Sequence, residues 1–398
     1  MRMPKKKKKK SWKESQHDMQ VKQQNAQKAH ETQREKEAKR KPRQLPKGKI
    51  LLAISLIALI LGVYAVWQYA TTPVAQTPLT VIYIRADGSV EPSNASISNL
   101  ENNYYTFTAD IYGSIVIERD NIVVDGANYV LQGHSTKNAT GIDLSARSNV
   151  TITNMVLENF GCGIYLYSAT DNVVSQNDVR NSNYGIEVDS SSNNTVYGNT
   201  ITNSDGAIGL SQSEDNTITK NNLDSNTYSI SVTSSSNNNI SENTITNSDG
   251  AVALFQSDDN VITKNYLEEN MYGISLTSCS DNSISENTVV TSSYAISLSQ
   301  ASDNVVKENY LGGNGYGIQL TYSADNILFH NSFVINSYQV SSSDSVNVWD
   351  DGSSSGGNFW SDYQTFYPDA EELDGSGVYD TPYVIDEDNQ DNYPLLNG

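Results

Sequence analysis

The sequence is poor in the residues that build most metal and disulfide sites. Its 398 residues include only two cysteines, four histidines and five methionines. A disulfide requires Cα atoms within about 7 Å of each other, and Cys162 and Cys279 fall at different positions of the repeat described below. We therefore expect two free thiols and no thiolate metal site. Copper binding is also disfavoured, because the potential His, Met and Cys ligands are scattered along the chain.

Basic residues are scarce after residue 49. Residues 1–49 hold 18 Lys/Arg against 5 Asp/Glu, whereas residues 50–398 hold 8 against 41. Such asymmetry indicates that the two parts lie in different surroundings. The basic segment 1–49 has almost no apolar residues with which to form a core, so we expect it to be disordered. We expect no specific nucleic-acid partner for it.

Long apolar runs are absent except for one, which covers residues 50–67 and carries no charge. About 20 helical residues cross the ~30 Å hydrocarbon core of a membrane. The excess of Lys and Arg before this run predicts that the N-terminus is cytoplasmic. We therefore expect a retained transmembrane helix over residues 50–70 and an extracellular or periplasmic location for residues 71–398. A buried helix or a cleaved signal peptide is the alternative interpretation.

A repeat of 22 residues fills much of the remaining chain. Two asparagine positions recur without a slip, and aliphatic positions keep the same register with them. The first asparagine series comprises Asn172, Asn194, Asn216, Asn238, Asn260, Asn282, Asn304 and Asn326. The second comprises Asn177, Asn199, Asn221, Asn243, Asn265, Asn287, Asn309 and Asn331. A fixed period of this kind is typical of a solenoid.

Strand periodicity dominates each repeat, and no sustained helical period occurs in residues 80–398. In one repeat, Ile186 and Val188 alternate with polar residues, and the small Gly185 before them indicates a tight bend. Four buried aliphatics contribute roughly 6–12 kcal/mol, whereas ordering 22 backbone units costs roughly 20–40 kcal/mol. One repeat therefore cannot fold alone, and successive coils must stack. Stacked asparagines can donate to and accept from one another, which predicts interior asparagine ladders.

These features resemble a known fold family. The segments NIVVDGANYVLQG at 121–133 and GIDLSARSNVTITNMVLENFGCGIYL at 141–166, with the repeated coils that follow, resemble pectin-lyase-like right-handed parallel β-helices. Within that group they resemble NosD-like repeats of the carbohydrate-binding and sugar-hydrolysis type. The segment GGNFWSDY at 356–363 resembles the closing segment of prokaryotic members. The resemblance implies an all-β fold of about ten 22-residue coils with caps at both ends, preceded by one transmembrane helix.

The resulting division of the chain has six parts. They are a basic segment 1–49, a transmembrane helix 50–70, a linker 71–79, an N-terminal cap with the first coil 80–130, β-helix repeats 131–342 and an aromatic-rich, acidic C-terminal cap 343–398. The oligomeric state is left open by the sequence.

Three groups of side chains are candidates for a site. A possible acid–base group, separated suitably for cleaving a glycosidic bond, comprises Asp143, Glu187 and Asp189. A possible carbohydrate-binding group comprises Tyr165, Tyr167 and a column formed by Tyr184, Tyr228, Tyr272, Tyr294, Tyr316 and Tyr338. A possible Ca²⁺-binding edge comprises Asp259, Asp281, Asp303 and Asp325. Alternatively, the acidic residues form a hydrated surface. The tyrosines stand two residues before inward-facing aliphatics, so strand alternation would place them on the inward side, where they close a corner of the core.

The leading functional hypothesis is a non-catalytic, membrane-anchored protein that binds polysaccharide or contributes to the cell envelope. A polysaccharide hydrolase or lyase is the main alternative. It is weakened because enzymes of this fold use Arg or Lys residues, and these are few after residue 49. A third hypothesis is a NosD-like accessory protein for a membrane complex, without a copper role. No cofactor is expected with certainty, and Ca²⁺ is the one candidate.

Overall fold

Each 22-residue repeat forms three short strands separated by sharp corners. The computed structural model describes residues 80–134, 139–373 and 375–397. Equivalent strands of successive coils pair in parallel, so that Val174 aligns with Val196 and Ile186 with Ile208. The result is the expected all-β parallel β-helix, with about eleven turns where the sequence suggested ten.

The longest strands form one face of the solenoid, here named the long sheet. From Cys162 to Ser343 each of its strands has six residues. In order, its strands are Thr80–Ile84 (with the antiparallel Val90–Glu91), Ile111–Ile117, Thr140–Asp143, Cys162–Tyr167, Tyr184–Asp189, Gly206–Ser211, Tyr228–Thr233, Gly250–Phe255, Tyr272–Thr277, Tyr294–Ser299, Tyr316–Thr321 and Tyr338–Ser343.

Two faces of shorter strands complete each coil. The first short sheet contains Ile97–Leu100, Tyr104–Phe107, Ile122–Asp125, Val150–Thr153, Val173–Ser175, Thr195–Tyr197, Thr217–Thr219, Asn239–Ser241, Val261–Thr263, Ser283–Ser285, Val305–Lys307 and Ile327–Phe329. The second contains Val130–Gln132, Val156–Glu158, Asp178–Arg180, Thr200–Thr202, Asn222–Asp224, Thr244–Thr246, Tyr266–Glu268, Thr288–Val290, Tyr310–Gly312, Ser332–Val334 and Phe359–Trp360. Strand Ile111–Ile117 pairs with members of both the long sheet and the second short sheet.

The interior is a continuous apolar core that runs through all the coils. In a typical coil, Val174, Val179, Ile186 and Val188 have no exposed surface. Each points inward from one of the three faces and contacts its equivalents in the coils on either side. Because no coil encloses a core alone, this stacking supplies the burial that one repeat lacks.

The corners are formed by residues with left-handed backbone conformation. In the coil that begins at Asp171, the corner residues with positive φ are Asp171 (58°), Gln176 (57°), Asn181 (52°) and Ser190 (50°). The residue after each corner points a polar side chain inward, namely Asn172, Asn177, Ser182 and Ser191. Asparagine and aspartate tolerate this conformation better than most residues, which accounts for part of their abundance here.

The predicted asparagine ladders are confirmed, and Asn260 illustrates their geometry. Its Nδ2 donates to the carbonyls of Ser235 (3.0 Å) and Asp258 (2.9 Å) and to Oδ1 of Asn282 (3.1 Å). Its Oδ1 accepts from the backbone N–H (2.9 Å) and the Nδ2–H (3.1 Å) of Asn238. Every polar atom of the buried carboxamide is satisfied, as burial requires.

Two further ladders follow the other two corners. One mixes serine with asparagine: the backbone N–H of Ser248 donates to Oδ1 of Asn270 at 2.9 Å. The other is mainly serine, and Cys279 takes a serine position in it, where its Sγ accepts from the backbone N–H of Ser257 at 3.5 Å. Both cysteines are free thiols, and both are buried.

The C-terminal cap closes the solenoid with aromatic side chains and ends the ladders. Trp360 stacks between Phe333 and Tyr383, with ring centroids 4.2 Å apart on both sides. The short helix Tyr363–Phe366 and the antiparallel pair Tyr383–Val384 and Gln390–Asp391 lie in this cap. The two asparagine ladders finish on cap residues, because the backbone N–H of Asn347 donates to Asn389 and that of Asn358 donates to Asp391.

The predicted basic segment 1–49, transmembrane helix 50–70 and linker 71–79 lie outside the described residues. Within the described ranges, no helix combines the length and apolar character needed to cross a membrane.

Candidate functional site

The outward side of the long sheet brings the predicted acidic residues into adjacent columns. Strand register aligns Asp143 with Tyr165 and Tyr165 with Glu187, while Tyr167 aligns with Asp189. Asp143 and Glu187 are therefore two coils apart, about 9.6 Å by strand spacing, with the Tyr165 ring between them. Tyr165 and Tyr167 stack with centroids 6.2 Å apart. We refer to these five residues as the acidic end.

The carboxylates of the acidic end are in different environments. Burial and the neighbouring Asp189 charge raise the pKa of Glu187. The Asp143 carboxylate bonds to its own loop, because its Oδ1 accepts a hydrogen bond from the backbone N–H of Ser145 at 2.9 Å. Asp189 accepts from the Ser190 hydroxyl at 3.0 Å. Burial therefore favours the protonated form of Glu187.

A buried thiol lies beside Glu187. Cys162 pairs with Tyr184 in the sheet and so stands in the tyrosine column. Its Sγ is 3.4 Å from the carbonyl of Ile164. Burial, and then the nearby Glu187 charge, raise the pKa of the Cys162 thiol well above its ordinary value. A buried thiol with a raised pKa is a poor nucleophile.

The tyrosine column faces outward, whereas strand alternation in the sequence places these side chains on the inward side. The exposed fractions of Tyr184, Tyr228 and Tyr338 are 49%, 52% and 60%. The physical reason is that Gly185 and Ile186 are both turned inward. Two consecutive inward residues shift the alternation by one position, so the tyrosine before them points to solvent. The small residue that the sequence associated with a bend is the first of this inward pair.

The C-terminal half of the column forms a continuous aromatic stack. The tyrosine stack consists of Tyr272, Tyr294, Tyr316 and Tyr338, whose successive ring centroids are 4.9, 5.0 and 4.9 Å apart. Their interplanar angles of 10°, 6° and 13° show that the rings cover one another's faces. A sugar lying along the stack would therefore meet ring edges and hydroxyl groups. Free ring faces remain only at the two ends.

The N-terminal half of the column is interrupted by Gly206 and Gly250. A Cβ atom added at Gly206 would lie 2.9 Å from the Tyr184 ring, and one added at Gly250 would lie 2.8 Å from the Tyr228 ring. Each tyrosine thus leans into the space left by the glycine of the next coil. The same sequence position therefore produces leaning rings in one half and a stack in the other.

Charge is distributed unevenly along the long sheet. Its seven strands from Gly206–Ser211 to Tyr338–Ser343 contain no Asp, Glu, Lys or Arg. We name this stretch the uncharged half. Beside the tyrosine stack it presents two columns of small polar groups: Ser275, Ser297, Gln319 and Ser341, and Thr277, Ser299, Thr321 and Ser343.

The aspartates proposed for Ca²⁺ occupy exposed corners. Asp259, Asp281, Asp303 and Asp325 all have φ between 56° and 59°, a conformation that accounts for small polar residues there. In the described ranges, no group of three or more His, Cys, Asp or Glu side chains is arranged to hold a metal ion. The calcium interpretation stays an untested prediction.

Two cavities lie at the ends of the solenoid. The one at the N-terminal end has a volume of about 410 Å³ and is lined by Thr80, where the first described strand begins, and by Pro92 and Tyr112. The one at the C-terminal end, about 210 Å³, lies between the last long strand and the cap. Its lining includes Tyr338, Asp362, Phe366, Tyr383 and Val384. We name this second cavity the cap cleft; no pattern in the sequence indicates it.

Comparison with known families agrees with this architecture. The profile of the family described as "Right handed beta helix region" matches residues 80–252 and 140–289, which together cover just over half of the chain. The chain therefore belongs to the right-handed β-helix family. A second profile, described as "Periplasmic copper-binding protein (NosD)", matches residues 226–365. No curated protein sequence matches this chain.

Solved structures share the fold at low sequence identity. The periplasmic alginate epimerase AlgG superposes with a TM-score of 0.51 at 14% identity, over 61% of this chain and 66% of its own, which is just under two thirds. An exopolygalacturonase from Thermotoga maritima has a TM-score of 0.46 at 12% identity, over 62% of this chain and 82% of its own. The catalytic domain of an α-1,3-glucanase has a TM-score of 0.49 at 13% identity, over 63% of this chain and 60% of its own. At 14% identity, the similarity to AlgG shows the fold alone.

The region that matches the NosD profile does not fit a copper site. Its soft donors are Met271, Cys279 and His330. Cys279 is buried in the serine ladder, and His330 Nε2 is 2.8 Å from the carbonyl of Ser355. Met271 and Cys279 lie at opposite ends of the strand Tyr272–Thr277, and His330 lies in a later coil. Residues 226–365 therefore present no arrangement of ligands suited to copper.

Proposed function

We propose that residues 80–397 form a non-catalytic module that binds polysaccharide at the cell envelope. In this proposal the chain is anchored by a transmembrane helix at 50–70, and the β-helix lies outside the cytoplasm. The observation that carries the proposal is the uncharged half of the long sheet. It presents hydroxyl groups, the Gln319 amide and tyrosine edges, with Phe255 as an exposed apolar side chain, on a domain that is otherwise strongly acidic.

Such a surface suits an uncharged glycan. Sugar hydroxyl groups exchange hydrogen bonds with Ser, Thr, Gln and Tyr side chains, each of which can both donate and accept. No Lys or Arg lies in any strand of the long sheet. Several cations are held in ion pairs elsewhere, for example Arg147 with Asp120 and Lys264 with Glu286. A polyanionic chain would therefore find no counter-charge on this face and would be repelled by the net negative domain.

The fold supports an association with polysaccharides as a class, because AlgG, which shares it, is an alginate epimerase by name. Alginate is anionic, whereas the uncharged half favours neutral chains. We therefore infer that this protein differs from AlgG in the charge of its ligand.

A glycan array tests the proposal directly. The full chain, purified in a detergent without a sugar headgroup, is applied to linear neutral glycans and to polyuronates. We expect binding to at least one neutral glycan and none to polyuronates at physiological salt. A Ser297→Glu/Thr321→Glu double variant places charge on the uncharged half and should weaken binding, while Ser278→Glu at an exposed corner serves as the matched control. The proposal fails if no neutral glycan is retained.

A polysaccharide hydrolase is a second candidate because the pKa of Glu187 is raised. In that case Glu187 would protonate the leaving oxygen, and Asp189 or Asp143 would act as the second carboxylate. Reducing-end release from neutral glycans and polyuronates is the measurement, with Glu187→Gln as the test variant. Activity in the parent chain that Glu187→Gln abolishes would favour the enzyme over the non-catalytic binder.

A further inference from the structure

We propose that the cap cleft binds the terminal ring of a linear, uncharged glycan whose chain extends along the tyrosine stack. This inference rests on the proposed function and deepens it by assigning a chain-end subsite.

The first observation is a free aromatic face at the end of the stack. Tyr316 covers one face of Tyr338 at 4.9 Å, and no described aromatic ring stacks on the other face. Tyr338 is 60% exposed and lines the cap cleft. Carbohydrate rings pack their C–H faces against aromatic faces, as other apolar surfaces do. Since the stack hides its internal faces, its C-terminal end is the place where such packing is possible beside a cavity.

The second observation is an exposed phenylalanine in the same cleft. The cap buries Trp349, Trp360 and Tyr363 almost completely, yet Phe366 remains 65% exposed. Burying apolar surface is favourable, so a ligand that covers the Phe366 ring gains an interaction that the fold leaves unused. Val384, 54% exposed, adds a third apolar group to the lining.

The third observation is a pair of polar groups in the lining of the cleft. The Asp362 carboxylate accepts from the Tyr383 hydroxyl, with distances of 3.4 and 3.3 Å to its two oxygens. These long contacts leave acceptor capacity for sugar hydroxyl groups. No Lys or Arg lines the cleft. The lining therefore combines apolar walls with an acceptor and offers no partner for a uronate.

The size and position of the cleft favour the terminal ring of a glycan over an internal ring. Its volume of about 210 Å³ is below the ~300–1,000 Å³ of sites that enclose drug-sized ligands, and it suits about one sugar ring. The cap forms its far wall through Asp362, Phe366 and Tyr383. A glycan that runs along the uncharged half toward the C-terminus meets this wall, so its last ring enters the cleft.

The test uses calorimetry on the full chain with uncharged hexasaccharides, namely cellohexaose, laminarihexaose, mannohexaose and chitohexaose. We expect Phe366→Ala to weaken binding of the hexasaccharide that binds the parent chain at least tenfold. Phe366→Trp should restore it, because it keeps an aromatic face. Tyr112→Ala is the matched control, because Tyr112 is 59% exposed, close to the 65% of Phe366, and lies at the N-terminal end of the solenoid outside the uncharged half. It should change the affinity less than twofold.

The possible outcomes separate the two proposals. Binding that is weakened by the Ser297→Glu/Thr321→Glu variant but unchanged by Phe366→Ala overturns the chain-end subsite and leaves the proposed function standing. The subsite is also overturned if a cyclic glucan, which has no end, binds as tightly as the linear hexasaccharides. Absence of binding by the parent chain to every hexasaccharide and polymer overturns both proposals. Melting temperatures of all variants establish that they are folded.

Discussion

The acidic end and the tyrosine stack lie on the outward side of the same sheet, in different columns and at opposite ends, and they differ in chemistry. At the acidic end, Asp143, Glu187 and Asp189 gather carboxylates around two tyrosines. At the other end, four tyrosines cover one another's faces in strands without a charged residue. The asparagine ladders run beneath the tyrosine stack and begin at Asn172 and Asn177, in the coil that carries Glu187, whereas Val150 and Met155 hold the same positions one coil earlier. The comparison teaches that the core specifies the solenoid, while outward positions are free to vary from coil to coil.

The largest loss of unfolding free energy should come from replacing a ladder asparagine, and the loss should be equal in the two regions. Asn194→Ala lies in the coil next to the acidic end, and Asn260→Ala lies near the tyrosine stack. Each removes a carboxamide that makes five hydrogen bonds with the same partners. Buried groups left unpaired cost about 1–3 kcal/mol each. We expect each variant to lose about 3–5 kcal/mol of unfolding free energy, measured by urea denaturation.

The control for the ladders is Ser278→Ala at an exposed corner, which should change stability by less than about 0.5 kcal/mol. If the two asparagine variants differ by more than about 1 kcal/mol, the interiors of the two regions are not equivalent.

A pH titration should distinguish the two regions because each has a nearby carboxyl whose pKa is raised. Burial raises the pKa of Asp391, under the C-terminal cap, to about 6. Burial also raises the pKa of Glu187 at the acidic end. The folded state therefore takes up a proton more readily than the unfolded chain. Stability from Asp391 is present below about pH 4 and is lost as pH rises toward 6, by about 3 kcal/mol.

Hydrogen exchange at pH 4.5 and 7 measures this effect region by region. After division by the intrinsic exchange rate at each pH, the cap amides should be more protected at pH 4.5 than at pH 7, and Asp391→Asn should remove that difference while leaving the protection of the acidic end unchanged. Glu187→Gln should remove the pH dependence of the acidic end and leave that of the cap unchanged. A cap whose pH dependence survives in Asp391→Asn would contradict the assignment.

Removing one tyrosine ring should lower the unfolding free energy moderately, and by more in the C-terminal half of the column than in the N-terminal half. Tyr294→Ala removes two ring pairs, at 4.9 and 5.0 Å. Each aromatic pair is worth about 0.5–1.5 kcal/mol beyond its buried area, so the loss should be about 1–3 kcal/mol in urea denaturation. Tyr228→Ala should cost less, because Gly250 follows it in the column. Equal losses would mean that stacking adds no stability.

The smallest effect should come from completing the column. Gly250→Tyr brings its Cβ to 2.8 Å from the Tyr228 ring, which must rotate away. Rotation into line with Tyr272 would extend the stack, and replacing a strand glycine removes about 0.5–1 kcal/mol of unfavourable entropy. We expect a net change within about 1 kcal/mol and a stronger near-ultraviolet circular dichroism of tyrosine. A loss above about 2 kcal/mol would show that the glycine is required.

Much of the fold follows from the sequence because the core positions repeat without interruption. The asparagine columns beginning at Asn172 and Asn177 predict ladders, and the structure confirms them. The other two ladders are not predicted by the sequence. Serine, asparagine, cysteine and alanine share those positions, as at Cys279, so no single residue type marks them. Each is instead preceded by a corner residue with positive φ, which becomes apparent only once the backbone is known.

The candidate site is less predictable, because side-chain direction depends on local backbone geometry. Alternation in a strand assigns Tyr184 to the core, but Gly185 and Ile186 both point inward and reverse it. The cap cleft joins Tyr338 with Phe366 and Tyr383 across a segment that does not follow the 22-residue period. Contacts of that kind leave no periodic pattern to detect. The presence of an aromatic-rich cap is visible in the sequence, but its internal arrangement is not.

The constant step of the ladders has a consequence for how this rod can change in length. Asn326 is linked to Asn347 and Asn331 to Asn358, so the step of 22 residues changes only where the cap begins. Deleting or duplicating one whole turn would rejoin matching partners, whereas a change of any other size would leave mismatched ones. The length of the solenoid can therefore change only in steps of one coil, about 4.8 Å each. The length of the outer surface along the solenoid axis is then set by the number of coils between two unchanged caps.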